Sequence, residues 1–360
     1  MRLINTETLL LENFPDLRRS PPYAILSHTW GRDGDEVTLQ EMVPGVLESP
    51  IALKPGFDKI RRTCRIALEE RGLKYAWVDT CCIDKTSSAE LSEAINSMFK
   101  WYQQAAVCFA FLEDWEPDQQ TFDHCRWWTR GWTLQELVAP RQTVFFDRTW
   151  SMRGDLDSLH NEISDVSRIK KEVLTKLRPL STVPVAVRMS WASRRETSRE
   201  EDVAYCLMGI FDINMPMLYG EGPKAFLRLQ EEIIKTTPDQ TLFAWVAAEN
   251  DTQQYTGILA SSPGEFSHCS RIIDSVAWTP NSVDVKTSIS NRGIKTNLDL
   301  FIDLVAYRPG VPCMRWTPIV LDETLENLGI YLWNVGGSRY IRAFPALLSP
   351  SPLLSTSSGV

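Results

Sequence analysis

The sequence predicts an α/β fold: a parallel sheet in the N-terminal part, a helical middle segment and a β-rich C-terminal part. Short apolar runs at Tyr23–Leu26, Lys74–Val78, Val107–Leu112 and Val144–Phe146 alternate with stretches of helical spacing. That alternation is the pattern of parallel strands covered by helices. From about residue 150 to 240 the spacing is mostly helical, and from about 241 onward strand-like runs broken by Asn, Gly and Pro dominate. No internal repeat is visible.

Each element has a local reason. Phe57, Ile60, Cys64, Ala67 and Leu68 fall on one helical face, and Gly72 is a natural stop. Ser87 and Glu90 have the spacing of a capping box, opening a helix with Leu91, Ile95, Met98, Phe99 and Tyr102 on one face. Trp132–Val138 reads as a short helix ended by Pro140. Ser198 and Glu201 make a second candidate box, followed by Val203, Leu207, Ile210 and Phe211. Pro223 suits the first turn of a helix that buries Phe226, Leu229 and Ile233. Leu242–Val246, Gly257–Leu259, Leu298–Val305 and Ile330–Trp333 read as strands of a small antiparallel domain. The expected segments are 1–150, with its core at 22–150, then 151–240, 241–348 and a Ser- and Pro-rich tail, 349–360, expected to be disordered.

Composition narrows the classes. The chain has 360 residues, and thirteen tryptophans supply a large apolar core. With 38 basic and 46 acidic side chains the net charge is −8, which disfavours nucleic acid as a partner. The longest apolar run, Ala105–Leu112, is too short to span a bilayer. No signal peptide or lipidation motif is apparent, so a cytoplasmic protein with reduced thiols is expected. None of the eight cysteines forms a Cys-x-x-Cys pair, and the four histidines lack ligand spacing, so no metal site is expected.

In a parallel α/β sheet, ligands bind beyond the carboxyl ends of the strands. Ser27, His28, Thr29 and Trp30 follow the first run; Asp79, Thr80, Cys81, Cys82 and Asp84 follow the second; Glu113, Asp114 and Trp115 follow the third. On the helix in "RWWTRGWTLQELVAP" (126–140), Leu134, Leu137 and Val138 share a face. Glu136 lies about 150° from the centre of that face, with Trp132 beside it. A carboxylate beside an indole turned from the core suits a pocket for a flat ring; a solvated acid on an amphipathic helix is the plain alternative. Gly220-Glu221-Gly222-Pro223-Lys224-Ala225 fits a relaxed dinucleotide pattern, but no good strand precedes it and Glu221 opposes a pyrophosphate. Cys82 with His28 is a further, weaker candidate pair, as nucleophile and base.

Three blocks, "YAILSHTWG" (23–31), "YAWVDTCCIDKTSSAELSEAINSMFKWYQQAAVCFAFL" (75–112) and "WWTRGWTLQELVAPRQTVFFDRTW" (127–150), resemble the signature blocks of the fungal heterokaryon incompatibility (HET) domain, in order. The stretch from "MSWASRRETSREEDVAYCLMGIFDINMPMLYGEGP" resembles the segment that commonly follows it. The resemblance implies an effector of fungal self/non-self recognition and programmed cell death. HET domains in turn resemble Toll/interleukin-receptor (TIR) domains, which implies a flavodoxin-like sheet. In TIR enzymes the Glu of a block with Trp, Cys, Leu and a Glu-Leu pair, paralleled here by "RGWTLQEL", splits NAD. The matching residue is Glu136, with Thr133 in place of the cysteine. The resemblance thus implies Glu136 as catalytic and His28, Trp30, Asp79 and Trp132 as binding residues around one hollow. NAD enters as substrate and no cofactor is expected. The rival reading is a non-enzymatic signalling scaffold that acts by self-association or by recruiting other incompatibility proteins.

Overall fold

The computed structural model describes residues 1–118, 121–247 and 255–274, then 288–290, 293–295, 300–302, 312–321, 327–336, 339–343, 345–346 and 349–351. Contacts divide the chain into two units. The first holds Met1–Arg178, Arg195–Ser198 and Tyr205–Met217; the second holds Pro179–Arg194, Arg199–Ala204 and Leu218–Val360.

The first unit is built on a seven-stranded sheet. In chain order it comprises β1 (Arg2–Asn5), β2 (Leu11–Asn13), β3 (Ala24–His28), helix α1 (Pro55–Arg71), β4 (Tyr75–Trp77), the short α2 (Asp79–Cys82), α3 (Ser88–Gln104), β5 (Val107–Phe111), α4 (Thr133–Val138), β6 (Thr143–Phe146) and β7 (Met152–Asp155). The order across the sheet is β2-β1-β4-β3-β5-β6-β7. The central β4-β3-β5-β6 are mutually parallel, in register Ala24 to Ala76 and to Val107, and Cys108 to Thr143. β1 and β7 are antiparallel margins. Strand addition therefore reverses between β3 and β5, and that reversal opens the crevice where doubly wound sheets bind ligands. Right-handed crossovers place α1 on one face and α3 and α4 on the other.

The four apolar runs expected to be parallel strands are those strands, and β3, β5 and β6 are buried along their whole length. Burial on both faces is what covered parallel strands require. Gly72, at φ 64°, ends α1 as a left-handed cap. The tryptophans pack where the sheet needs bulk. Trp77 meets Trp101 and Tyr102 at 5.6 and 5.9 Å, and Phe122, Trp127, Trp128 and Phe145 cluster before α4.

Several local expectations fail. The Ser87 hydroxyl accepts from the Glu90 amide at 3.3 Å, but the Glu90 carboxylate is taken by Arg2 and by the Asp84 amide, so the box is half made. The Glu201 carboxylate accepts from the Gly220 and Gly222 amides, at 2.6 and 3.1 Å, instead of closing a second box. Those two glycines, at φ 102° and 59°, thus spend on Glu201 the donors that a dinucleotide would need. Leu242–Val246 is not a strand: Asp239 accepts from Thr241 and starts a 3-10 turn, Gln240–Phe243.

Past the first sheet, α5 (His160–Ser167), α6 (Lys171–Leu174), α7 (Val185–Ser190), α8 (Asp202–Tyr205), α9 (Met208–Phe211) and α10 (Lys224–Thr236) make the middle of the chain helical. In the second unit β8 (Tyr255–Thr256) and β9 (Ile272–Asp274) precede a hairpin, β10 (Ser288–Ser290) with β11 (Gly293–Lys295). β12 (Leu300–Ile302), β13 (Pro312–Leu321), β14 (Asn327–Gly336), β15 (Arg339–Ala343) and β16 (Ser349–Ser351) complete it. An antiparallel sheet runs β12-β13-β14-β15-β8, with β9 on β13 and β16 on β14. Gly257–Leu259 is not a strand, while β12 falls within Leu298–Val305 and β14 contains Ile330–Trp333. Ser349–Ser351, read as the start of a disordered tail, pairs with β14, and 352–360 lie outside the described residues. Buried Arg342 donates to the Phe243 carbonyl at 3.0 Å and lies 3.7 Å from the Trp245 ring centre.

Candidate functional site at the carboxyl end of β3

Successive residues of a strand face opposite ways, and Ser27 and His28 end β3. Each anchors a separate polar group. His28 Nε2 lies 3.1 Å from Asp79 Oδ1, and the Trp30 indole N–H donates to Asp79 Oδ2 at 2.9 Å. Lys85 stands 3.7 Å from the same carboxylate and 3.6 Å from the Trp30 ring centre. Burial would raise the Asp79 pKa, but Lys85, His28 and Trp30 outweigh it and hold the group well below the usual carboxylate range. Asp79 is a fixed anion here. Lys59 of α1, buried at 4% exposure, supports this group from beneath. It donates to the Thr29 carbonyl at 3.0 Å and to Glu36 at 2.8 Å, and Glu36 also accepts from the Gly31 amide at 2.8 Å. The Lys59 ammonium and the Glu36 carboxylate lie 3.5 and 4.0 Å from His28 Nδ1, on the opposite edge of the ring from Asp79.

Ser27 anchors the second group. Its hydroxyl accepts from the Trp127 indole at 2.8 Å and donates to Glu136 Oε2 at 2.5 Å. Every residue of α4 is buried, so Glu136, at 7% exposure, is not the solvated acid of an amphipathic helix. Among the described residues Glu136 makes no ion pair, although the Arg130 and Arg195 charges bear on it. Burial is the main reason its pKa is pushed up to about 8; the Asp79 charge adds to this, while Ser27, Arg130 and Tyr102 pull the other way. Burial thus favours the neutral acid form of Glu136 near neutral pH.

The chain that follows the sheet fixes this acid. Glu196 pairs with both sides of Arg130, the Gly131 amide donating to the Glu196 carbonyl at 2.8 Å. Arg195 Nη1 donates to the Arg130 carbonyl and to the Thr133 hydroxyl, each at 2.8 Å. A Cβ on Gly131 would stand 2.5 Å from Thr197 Cγ2 and 3.1 Å from Cys206 Sγ. Gly131→Ala should therefore destabilise the chain by about 1–3 kcal/mol, as overpacking does, in chemical denaturation.

Of the expected site residues, the structure joins His28, Trp30 and Asp79 in one hydrogen-bonded group. Glu136 sits in the other group, across the end of β3, and among the described residues no hydrogen bond links the two. Arg130 and Tyr102 bridge them. The Arg130 guanidinium is 5.9 Å from the Trp30 ring and its charge bears on Glu136, while the Tyr102 phenol feels both carboxylates. Trp132 is half buried against the core, not turned from it. Cys82 is buried in the core, with its sulfur taken by the Val78 amide, and no bond joins it to His28 among the described residues. Burial pushes the Cys64 and Cys108 thiols up, as expected of inert core cysteines. Lys59, Glu36, Arg130 and Arg195 were not singled out in the sequence; each reads there as one charge among many.

Among the described residues no helix is long and apolar enough to cross a membrane, and no cluster of side chains could hold a metal ion. Residues 23–125 match the family described as heterokaryon incompatibility protein (HET), and residues 224–275 match a domain of unknown function, DUF8212. The first match contains His28, Trp30 and Asp79 and ends before Trp132 and Glu136. Over 226 residues the chain is 49% identical to vegetative incompatibility protein HET-E-1 of Podospora anserina. That stretch is 60% of this chain and 16% of the relative, so the chain spans less than a fifth of that protein's length. No solved structure matches. Residues 23–125, with the His28–Asp79–Trp30 group inside them, are thus similar to the heterokaryon incompatibility family.

Proposed function

We propose that the chain is an effector of fungal vegetative incompatibility that splits NAD, with Glu136 as the catalytic group and cell death as the consequence. The observation that carries the reading is a buried acid, Glu136, held without an ion pair beside the carboxyl end of β3, where the strand order reverses. That order, second-first-third-fourth among the parallel strands, is the one expected of a TIR-like sheet.

The chemistry follows from charge. The nicotinamide ring of NAD is cationic. A cation beside Glu136 favours the ionised carboxylate, so substrate binding would drive the proton off. As the C1′–N bond breaks, its electron pair passes to the ring nitrogen and neutral nicotinamide leaves. The ribose carries the positive charge as an oxocarbenium ion, which the carboxylate stabilises. Water adds to C1′, releasing a proton and leaving ADP-ribose. In this reading His28 and Asp79 would take ribose hydroxyls. Because the free protein must present a carboxylate, kcat/KM should rise with pH through about 8 and level off above it. A profile flat from pH 6 to 9 contradicts this.

The test is nicotinamide release from NAD by the full chain over a range of protein concentrations. Release by wild type and its loss in Glu136→Gln support the reading; an inert wild type at every concentration, or a fully active variant, ends it. The rival reading, a self-associating scaffold, draws on exposed Val43, Leu47 and Leu53 within one loop. It wins if Glu136→Gln still kills on expression while Leu47→Asp with Leu53→Asp does not.

A further inference from the structure

Arg130 has a fixed backbone and an uncommitted side chain. Its carbonyl accepts from Arg195 and from Thr133, at 2.8 and 2.9 Å, and its neighbours pair with Glu196. The side chain is half buried, yet among the described residues no hydrogen bond or ion pair engages its guanidinium. It stands 5.9 Å from the ring of Trp30, an indole 39% exposed. Lys85 lies over that same ring at 3.6 Å. The Arg130 charge bears on the Glu136 carboxyl group.

A half-buried guanidinium with unspent donors is a strong attractor for an anion, and its planar fork fits the oxygens of a phosphate. Its position, between an exposed indole and the acid at the strand reversal, matches where doubly wound sheets take nucleotides. We infer that Arg130, assisted by Lys85 over the same indole, binds the phosphate groups of a nucleotide ligand at the carboxyl end of β3. With the proposed NAD reading, on which the identity of the nucleotide rests, these are the diphosphate of the dinucleotide, and its nicotinamide end reaches Glu136.

The experiment is calorimetric titration of the full chain with ADP-ribose, inorganic pyrophosphate and nicotinamide riboside, which lacks phosphate. Arg130→Ala should weaken ADP-ribose and pyrophosphate binding by about 10- to 100-fold, as loss of a charge-assisted contact does. It should not weaken the binding of nicotinamide riboside, which carries no phosphate. Arg130→Lys keeps the charge without the fork and should fall between. Equal ADP-ribose affinity in Arg130→Ala and wild type overturns the assignment. So does an equal loss for nicotinamide riboside, or failure of wild type to bind either phosphate probe. The two readings fail separately: Arg130-dependent ADP-ribose binding without nicotinamide release defeats hydrolysis alone, and release with an unchanged KM in Arg130→Ala defeats the phosphate assignment alone.

Discussion

Glu136→Gln is expected to stabilise the protein at alkaline pH even as it removes the proposed activity. The folded-state pKa of Glu136, about 8, lies above the value of about 4.3 for an unfolded glutamate. Below both values folded and unfolded chains are equally protonated, and the group's stability contribution is fully present. Between them the folded chain holds a proton that the unfolded chain has lost, so stability falls as pH rises, until the folded pKa is passed. The loss over that window is on the order of 3–5 kcal/mol. A glutamine amide does not titrate, so the advantage of Glu136→Gln over wild type should grow from pH 5 to pH 9. Thermal melts of both proteins at matched pH check this, and a stability difference independent of pH contradicts it. Retaining an acid whose removal would strengthen the fold is what a functional group at a strained site does.

The second large effect is expected from Lys59→Met. Lys59 is buried with its ammonium between the Thr29 carbonyl and Glu36, and 3.5 Å from Glu113. Removing one partner strands the other, which costs roughly 3–5 kcal/mol for a buried pair. The methionine fills the space, so the loss reports the charge network more than a cavity. Glu36 would keep the Gly31 amide and the His28 ring, 4.0 Å away, and the loop that carries Trp30 would loosen. Denaturation should show the loss, and hydrogen exchange at residues 29–36 should quicken. In Lys59→Met with Glu36→Gln the combined loss should fall short of the sum of the two singles. A loss under about 1 kcal/mol with unchanged exchange counts against the network.

Local pattern made the parallel strands legible, because buried strands must be continuously apolar. It also named the strand ends where Ser27, His28, Trp30 and Asp79 gather. What it could not show is what distant chain does to a local motif. Glu90 has the spacing of a capping residue, but Arg2, 88 residues away, takes its carboxylate. Leu134, Leu137 and Val138 make α4 look amphipathic. Its other side is closed by the Trp127 loop and by α9, which packs on α3 and α4, so Glu136 is buried all round. Lys59 sits on a helix whose spacing marks Phe57 and Ile60 as the buried face, and nothing local says that its ammonium will meet Glu36 underneath. Arg195 follows the matched HET residues by some 70 positions, yet it fixes the turn before α4. Part of the site is therefore made by chain beyond the recognisable domain.

Everything chemical in this account depends on Glu136 being a neutral acid at physiological pH, poised to ionise when a cation arrives. The most direct measurement is a titration of its carboxyl carbon by 13C NMR in the full chain, with Glu136→Gln to assign the signal. A single step near pH 8, absent from the variant, is expected. A step between about pH 4 and 5, the ordinary range of a solvated glutamate, would contradict it.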